Sequence, residues 1–327
     1  MHTHPLSKKI GLFIGPLLFI TILNFPFDTL SFKATAVLAL ACWMVCWWIS
    51  EAVSISVTAL LPLIIFPLTD VMTVNDVGAN YGSSIVFLFF GGFVLALGLE
   101  KVNLHRRIAL TIIKKTGTSP NKVILGFMIA TAFMSMWISN TASTVVMLPI
   151  ALSVINLLID QQESSTKQTR NFALSVMLGI AFSANAGGIA TVIGTPPNSV
   201  LIGLLENEYQ IQISFVKWMM IGLPFAIVMI TIIYLVLVYG IFSTKGLRFS
   251  ASQEVIDNEL DKLGPIKPKE KQVIWVFGIV VSLWIFRTLI NSIFPGLKLS
   301  DTVISIFGAI ALFAIPFDLK KGDFILE

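Results

Sequence analysis

The charged side chains of this chain are gathered into a few clusters, and between them run apolar stretches of about 15 to 25 residues, close to the roughly 20 that a helix needs to cross the hydrocarbon core of a bilayer. That pattern constrains the fold to an all-α polytopic membrane protein. Composition agrees, with 56% hydrophobic residues and only 12% Asp, Glu, Lys and Arg, against about 25% charged residues in soluble domains. Soluble enzymes and nucleic-acid binders are therefore excluded as first readings. The net charge of +4 carries no further information, because the positive-inside bias gives most polytopic proteins such a surplus. Cys42 and Cys46 lie four apart within one apolar run and read as packing residues on a shared helix face.

Hydropathy and turn signals predict spans at Ile10 to Pro26, Ala34 to Ile49, Ile55 to Leu68, Ile85 to Leu99, Trp218 to Phe242, Val273 to Ile293 and Val303 to Phe317, with two interrupted stretches at Val123 to Ile159 and Phe172 to Leu205. Lys8 and Lys9 precede a run that ends in Asn24-Phe-Pro-Phe-Asp28 without a small-residue cleavage pattern, so the run reads as a first membrane helix with a cytoplasmic N-terminus. If Val123 to Ile159 enters and returns on one side, 18 of the 22 basic residues fall on the cytoplasmic face. A single crossing there would place Lys167, Arg170 and the basic loop after Phe242 on the wrong side. The charges thus predict a re-entrant hairpin. Leu104, Ile108 and Ile112 share one face of a basic segment suited to a helix in the cytoplasmic interface. Lys245 to Lys271, the only long polar stretch, reads as a linker between two membrane halves.

Inside the hydrocarbon layer, non-helical backbone persists only where it is buried in protein or lines a cavity, so the interruptions mark candidate sites. One is Ser135-Met-Trp-Ile-Ser-Asn-Thr-Ala-Ser-Thr144. The other is Asn185-Ala-Gly-Gly-Ile-Ala-Thr-Val-Ile-Gly-Thr-Pro-Pro-Asn198, whose paired glycines and prolines forbid a continuous helix. Each break creates helix ends whose free amides attract anions and whose free carbonyls attract cations. Ser135 and Ser139, four apart, are expected on one helix side; with the Asn140 amide oxygen and carbonyls near Gly194 they offer the hard oxygen donors a small cation prefers. The Asn140 amide nitrogen and the Thr141 hydroxyl offer donors to a carboxylate. The alternative is that these hydroxyls bond to neighbouring helices, the expected role of Ser143, Thr144 and Ser183. Glu51, at a predicted cytoplasmic helix end, reads as a capping or structural group before a proton relay, and Arg287, inside an apolar span, is expected to snorkel or pair with a carboxylate. His2, His4 and His105 are too scattered for a catalytic or metal set, so enzyme function is not expected.

Ser139-Asn140-Thr141 preceded by Ser135, and Gly194-Thr195-Pro196-Pro197-Asn198 preceded by Gly187-Gly188, closely resemble the signature motifs of the divalent anion/sodium symporter (DASS) family. The resemblance extends along most of the chain. It implies sodium at Ser135, Ser139, Asn140 and Gly194, and a small anionic substrate at Asn140, Thr141, Thr195 and Pro196. The implied substrate is a C4-dicarboxylate such as succinate, malate or fumarate, or else citrate or sulfate, imported into a bacterium across its cytoplasmic membrane. No organic cofactor and no nucleic acid are implied. The implied carrier is a homodimer with an elevator mechanism, its frame built from the early spans and the Trp218 to Phe242 helix, its moving part from the hairpin and the Phe172 to Leu205 segment. Sodium coupling, proton coupling and exchange share this architecture. The family's two inverted repeats map here as a tail and first helix (1–32), a complete first repeat (33–243, with the hairpin at about 121–159, the broken helix at about 172–206 and the last span at about 218–242), a cytoplasmic linker (244–271) and the start of a second repeat (272–327). A weak echo of Ala59 to Pro67 in Gly308 to Pro316 fits that start. The chain is thus expected to hold about the first two-thirds of such a carrier, with a transport-inactive fragment or scaffold as the competing reading.

Overall fold

The computed structural model describes residues 6–25, 27–117, 119–160, 167–244, 247, 252–318 and 323–326. His2, His4, Lys245, Arg248, Lys320 and Lys321, on which parts of the sequence reading rest, lie outside them. The chain forms two compact units, Met1–Ser83 and Ser84–Glu327.

In the first unit, α1 (Leu6–Leu23) and α2 (Phe32–Ser50) pair antiparallel. Gly11 and Gly15 are the contact points, for a Cβ on either would strike Ser50 or the Trp43 and Trp47 rings. Cys46 Sγ lies 3.8 Å from the Gly11 carbonyl, so this cysteine does pack at the helix contact. Glu51 caps α2 in the left-handed region (φ 48°) and pairs with Lys8 at 3.1 Å, the structural role anticipated for it. The predicted span Ile55 to Leu68 is instead two helices, α3 (Ile55–Thr58) and α4 (Leu61–Leu68), because Pro62 has no amide proton to continue a helix through Ala59 and Leu60. A polar helix, α5 (Val74–Tyr81), follows; Thr73 caps it by accepting from the Asp76 amide at 3.2 Å. Its low hydrophobicity hid it from a search for apolar runs.

The second unit opens with α6 (Ser84–Lys101) and α7 (Leu104–Thr116), then the hairpin α8 (Pro120–Ser135) and α9 (Asn140–Asp160), and the broken pair α10 (Lys167–Gly188) and α11 (Pro196–Tyr209). Next come α12 (Phe215–Leu235), ending in a π-helical turn at Val236–Ile241, and α13 (Ser252–Leu263), α14 (Pro268–Ile293) and α15 (Asp301–Ala314). Pro316 ends the last helix, and a small antiparallel pair follows, β1 (Pro316–Asp318) with β2 (Asp323–Phe324), the departure among the described residues from an all-helical chain. Among the described residues, five stretches, Leu6–Leu23, Phe32–Ser50, Val74–Lys101, Phe215–Ile241 and Pro268–Ile293, are long and apolar enough to cross a membrane. Among the described residues, two large cores and one small one form in this unit. One joins α7 to α10, the π turn and α13 through Phe127, Phe172, Val154, Val238 and Ile256. The other large one joins α6, α14 and α15 through Leu95, Val280, Trp284 and Leu312, and meets the broken pair at Val192, Ile193 and Ile202 and the start of α12 at Phe215. The small one gathers Met136, Ala190 and Ala226.

The predicted interfacial helix is present as α7, but its basic face is not free. Arg106 bonds Glu259, Arg107 pairs with Glu270 at 2.7 Å, and Lys114 with Asp257 at 2.7 Å. The linker supplies Glu270 from the first turn of α14, and Asp257 and Glu259 through α13, a helix whose Ile256, Leu260 and Leu263 pack on the first core and whose 3.6-residue period is masked in sequence by its high charge.

Candidate functional site

Two chain reversals meet in the second unit. The hairpin reversal spans residues 136–139: Met136 and Ile138 amides still bond back to Ala132 and Met134, after which the chain turns and α9 begins at Asn140. Ser135 therefore ends one helix and Ser139 caps the next, so the two hydroxyls do not stand one turn apart on a common face as the spacing predicted. The Ser139 hydroxyl accepts from the Ala142 amide at 3.1 Å. Fully buried Ser135 donates to the Asn140 side-chain oxygen at 2.6 Å, and the Asn140 amide nitrogen donates to Asn185 on α10 at 3.1 Å. Asn140 is thereby oriented, its oxygen towards Ser135 and its nitrogen towards Asn185.

The second reversal, residues 189–195, satisfies its buried backbone with side chains, as non-helical chain in a low-dielectric interior must. Asn198 donates to the carbonyls of Gly188 (2.9 Å) and Thr191 (2.7 Å), Ser199 to that of Val192 (2.9 Å), and Trp218 to that of Ile189 (2.9 Å). Thr191 closes the two reversals together by donating to the Met136 carbonyl at 2.5 Å. Thr195, extended at φ −149°, is the N-cap of α11 without a side-chain cap bond; Pro196 and Pro197 fill the first helical positions, where a missing amide costs nothing.

The reversals touch through glycine. A Cβ on Gly188 would land on the Asn140 oxygen, and one on Gly194 would lie 2.5 Å from the Gly188 carbonyl and 2.9 Å from the Ser135 carbonyl. Asn140 Oδ1, which accepts from the Ser135 hydroxyl, thus faces Gly188, and the carbonyls of Ser135 and Gly188 face Gly194, so that oxygens gather where the two glycines lack a Cβ. Among the residues singled out from sequence, Ser135, Asn140 and Gly194 are brought together there. Thr141 and Pro196 are exposed and Thr195 half-buried beside them. Ser143 and Ser183 are buried without a hydrogen-bond partner, and Thr144 donates within its own helix to the Asn140 carbonyl (2.8 Å), so none of the three bridges helices as expected. The sequence reading missed the roles of Asn185, Asn198 and Trp218. For the first two a signal existed, since each asparagine borders the Gly/Pro break: buried Asn198 serves loop carbonyls, and exposed Asn185 accepts from Asn140. His105 is also accounted for, buried with Nδ1 3.1 Å from the Leu99 carbonyl at the end of α6.

Comparison with known proteins agrees with this architecture. Residues 7–325 match the family described as "Sodium:sulfate symporter transmembrane region". The sodium-dependent dicarboxylate transporters SdcS of Staphylococcus aureus strains USA300, MSSA476 and MW2 are each 43% identical to the chain over 314 residues, 95% of this chain. The chain spans 60% of the length of those relatives. By its matched length, and by the motifs that meet at Asn140 and Gly194, this chain belongs to the sodium:sulfate symporter family, the divalent anion/sodium symporters, whose members are transporters and not enzymes.

Proposed function

We propose that this chain carries one sodium- and carboxylate-binding half of a carrier that imports C4-dicarboxylates with sodium across the cytoplasmic membrane of a bacterium. The observation that carries the reading is the meeting of Ser135, Asn140, Gly188 and Gly194. Its donors are all oxygen, the set a hard monovalent cation prefers, and the two glycines leave room that a Cβ would fill. Ser135 and Asn140 would hold the ion with backbone carbonyls of the two reversals; Ser139, bound to its cap, takes part through its place in the turn. When bound, the ion would supply positive charge beside Thr141 and Thr195, whose hydroxyls would donate to the substrate carboxylate, while Pro196 and Pro197 leave the first turn of α11 without amide donors of its own. The order of binding follows: sodium first, since no basic side chain stands among these residues to receive a dianion.

An elevator movement is supported by the packing of the hairpin α8–α9 with α10 in the first core. The moving part comprises the hairpin α8–α9 and the broken pair α10–α11, with α11 reaching the second core through Ile202. α12 packs along α10 and is grouped with them, although the family resemblance implied a place for it in the frame. A homodimer, its frame in the bilayer and its N-terminus in the cytoplasm, completes the proposal. The experiment is uptake by the full-length carrier in sealed vesicles with and without a sodium gradient. Sodium-driven accumulation of succinate that Asn140→Ala abolishes is the expected result; gradient-independent exchange, or accumulation by the variant at an unchanged rate, would overturn it.

A further inference from the structure

Asp301 opens α15 and lies at the start of α12 as well. Its Oδ2 accepts from the Phe215 amide at 2.9 Å, one of the donors that a helix start leaves unpaired. Its Oδ1 lies 3.0 Å from Arg287 Nη1, which gives the half-buried arginine of α14 the carboxylate partner that sequence could not name. Trp284 donates to the Asp301 carbonyl at 3.1 Å and stacks on Phe215 with centroids 4.5 Å apart and planes 13° apart. The stack continues to Trp137, at 6.3 Å and 24° from Phe215, and Trp137 also meets Phe277 edge-on at 5.0 Å. Trp137 belongs to the hairpin turn itself, three residues before Asn140. One carboxylate on the α14–α15 side therefore fixes the start of α12, and through Phe215 it fixes the tip of the hairpin.

This contact combines a polar edge with a buried aromatic stack. Beside it lies a cleft of about 350 Å³ with a polar lining that includes Ser84, Gln212, Ser214, Asn291, Ser300 and Thr302. Asp301 and Arg287 line the same cleft, where water can replace them for one another, whereas Phe215 and Trp284 are buried and hold the contact together. We infer that Asp301 is a positioning residue for transport: with Arg287 and the Trp137–Phe215–Trp284 stack it forms a catch that holds the hairpin side against the α14–α15 pair in one position of the cycle. The inference rests on the moving-part reading proposed above. It assigns Asp301 control of how long this position persists, and no share in binding sodium or substrate.

The test uses the full-length carrier with cysteines at Gln212 and Thr302, which line the cleft from its two sides, and a short bifunctional thiol reagent. Asp301→Ala is expected to slow cross-linking about fivefold or more while the half-saturating sodium and dicarboxylate concentrations stay within about twofold. Asp301→Asn, whose amide oxygen still accepts from Phe215, is expected to recover most of the cross-linking rate. Unchanged cross-linking in Asp301→Ala overturns the catch and leaves the moving-part reading standing, provided that cross-linking stops uptake in the parent. A fall in sodium affinity and melting temperature together would make Asp301 a structural residue and also overturns it. Full uptake by the fully cross-linked parent would overturn the movement and the catch alike.

Discussion

At the scale of single residues, Gly187 and Gly188 separate what holds the site from what the site does. A Cβ on Gly187 would run into backbone atoms of Ala132, between α8 and α10, where nothing yields cheaply. Gly187→Ala is expected to cost about 1 to 3 kcal/mol of stability, read as a lower melting temperature. A Cβ on Gly188 meets instead the end of the Asn140 side chain, which rotates away and takes its oxygen from Ser135. Gly188→Ala should therefore weaken sodium activation of uptake far more than it lowers the melting temperature; the reverse order would remove Asn140 from the cation site. Thr141→Ala deletes a hydroxyl on the exposed side, and a lost hydrogen bond to a charged group is worth about 1.5 to 3 kcal/mol, hence about a 10- to 100-fold rise in half-saturating dicarboxylate with sodium activation little changed. Ser135, Asn140 and Gly194 were legible in sequence because a hydroxyl, an amide and a glycine inside an apolar run have few structural uses. Trp218 was not, since what it satisfies is a carbonyl exposed only once the chain has unwound.

At the scale of elements, the apolar spans were legible because lipid requires their length and composition, whereas α5 and α13 were not, being short, polar and dependent on tertiary partners. The partners of α7 show why: Arg107 meets Glu270 and the carbonyls of Gly264 (2.8 Å) and Leu263 (3.3 Å), all more than 150 residues away. Glu270 is only 4% exposed. Arg107→Gln strands that carboxylate and is expected to cost about 3 to 5 kcal/mol, with Arg107→Lys a poor rescue because one ammonium cannot reproduce the fork of contacts. Arg106→Gln, at a more exposed pair, should cost less than about 1 kcal/mol; hydrogen exchange in α13 measures both. The same clamp has a defined pH window. The Lys262 hydrogen bond, then the charges of Arg106 and Lys262, hold the Glu259 carboxyl below its usual range despite desolvation, so its contribution is present above the unfolded value near 4.3 and is lost as pH falls below it. The Asp257 hydrogen bond and charge raise Lys114, whose contribution is present below about 10.4 and is lost as pH rises through the folded value. Protease cleavage within α13 should thus stay constant from about pH 5 to 10 and rise below about pH 4; a step near neutrality would contradict these pairings. Cysteines at Lys114 and Glu259 should label from the cytoplasm, as should one at Gln162, outside the described residues, and one at Glu208 from outside; opposite labelling of 114 and 162 would sink the re-entrant hairpin.

At the scale of the whole molecule, the arrangement of exposure around the site sets what these 327 residues can do by themselves. Ser139, Thr141, Asn185 and Pro196 are exposed, while Ser135, Gly188 and Gly194 are buried. The side proposed for the cation is thus buried in this chain, and the side proposed for the substrate is exposed. A dicarboxylate carries two charges, and removing it from water needs donors around both carboxylates, because an unpaired buried charge costs several kcal/mol. Thr141, Thr195 and the Asn140 nitrogen, which already serves Asn185, offer donors to one carboxylate. Sodium needs a single shell of oxygens, and in the proposed site Ser135, Asn140 and the crossing carbonyls would supply it. Purified and reconstituted as 327 residues, the chain is therefore expected to keep weak sodium binding, seen as sodium-specific thermal stabilisation that Gly188→Ala removes. It is expected to show no saturable succinate uptake in sealed vesicles. The SdcS relatives, of whose length this chain spans 60%, supply the comparison: extending the chain to that length should restore uptake without changing the sodium shell at Asn140. Sodium-driven, concentrative uptake by the 327 residues alone would show that the open side is closed by a second copy of the same chain, and would refute the division into an enclosed cation half and an unfinished substrate half.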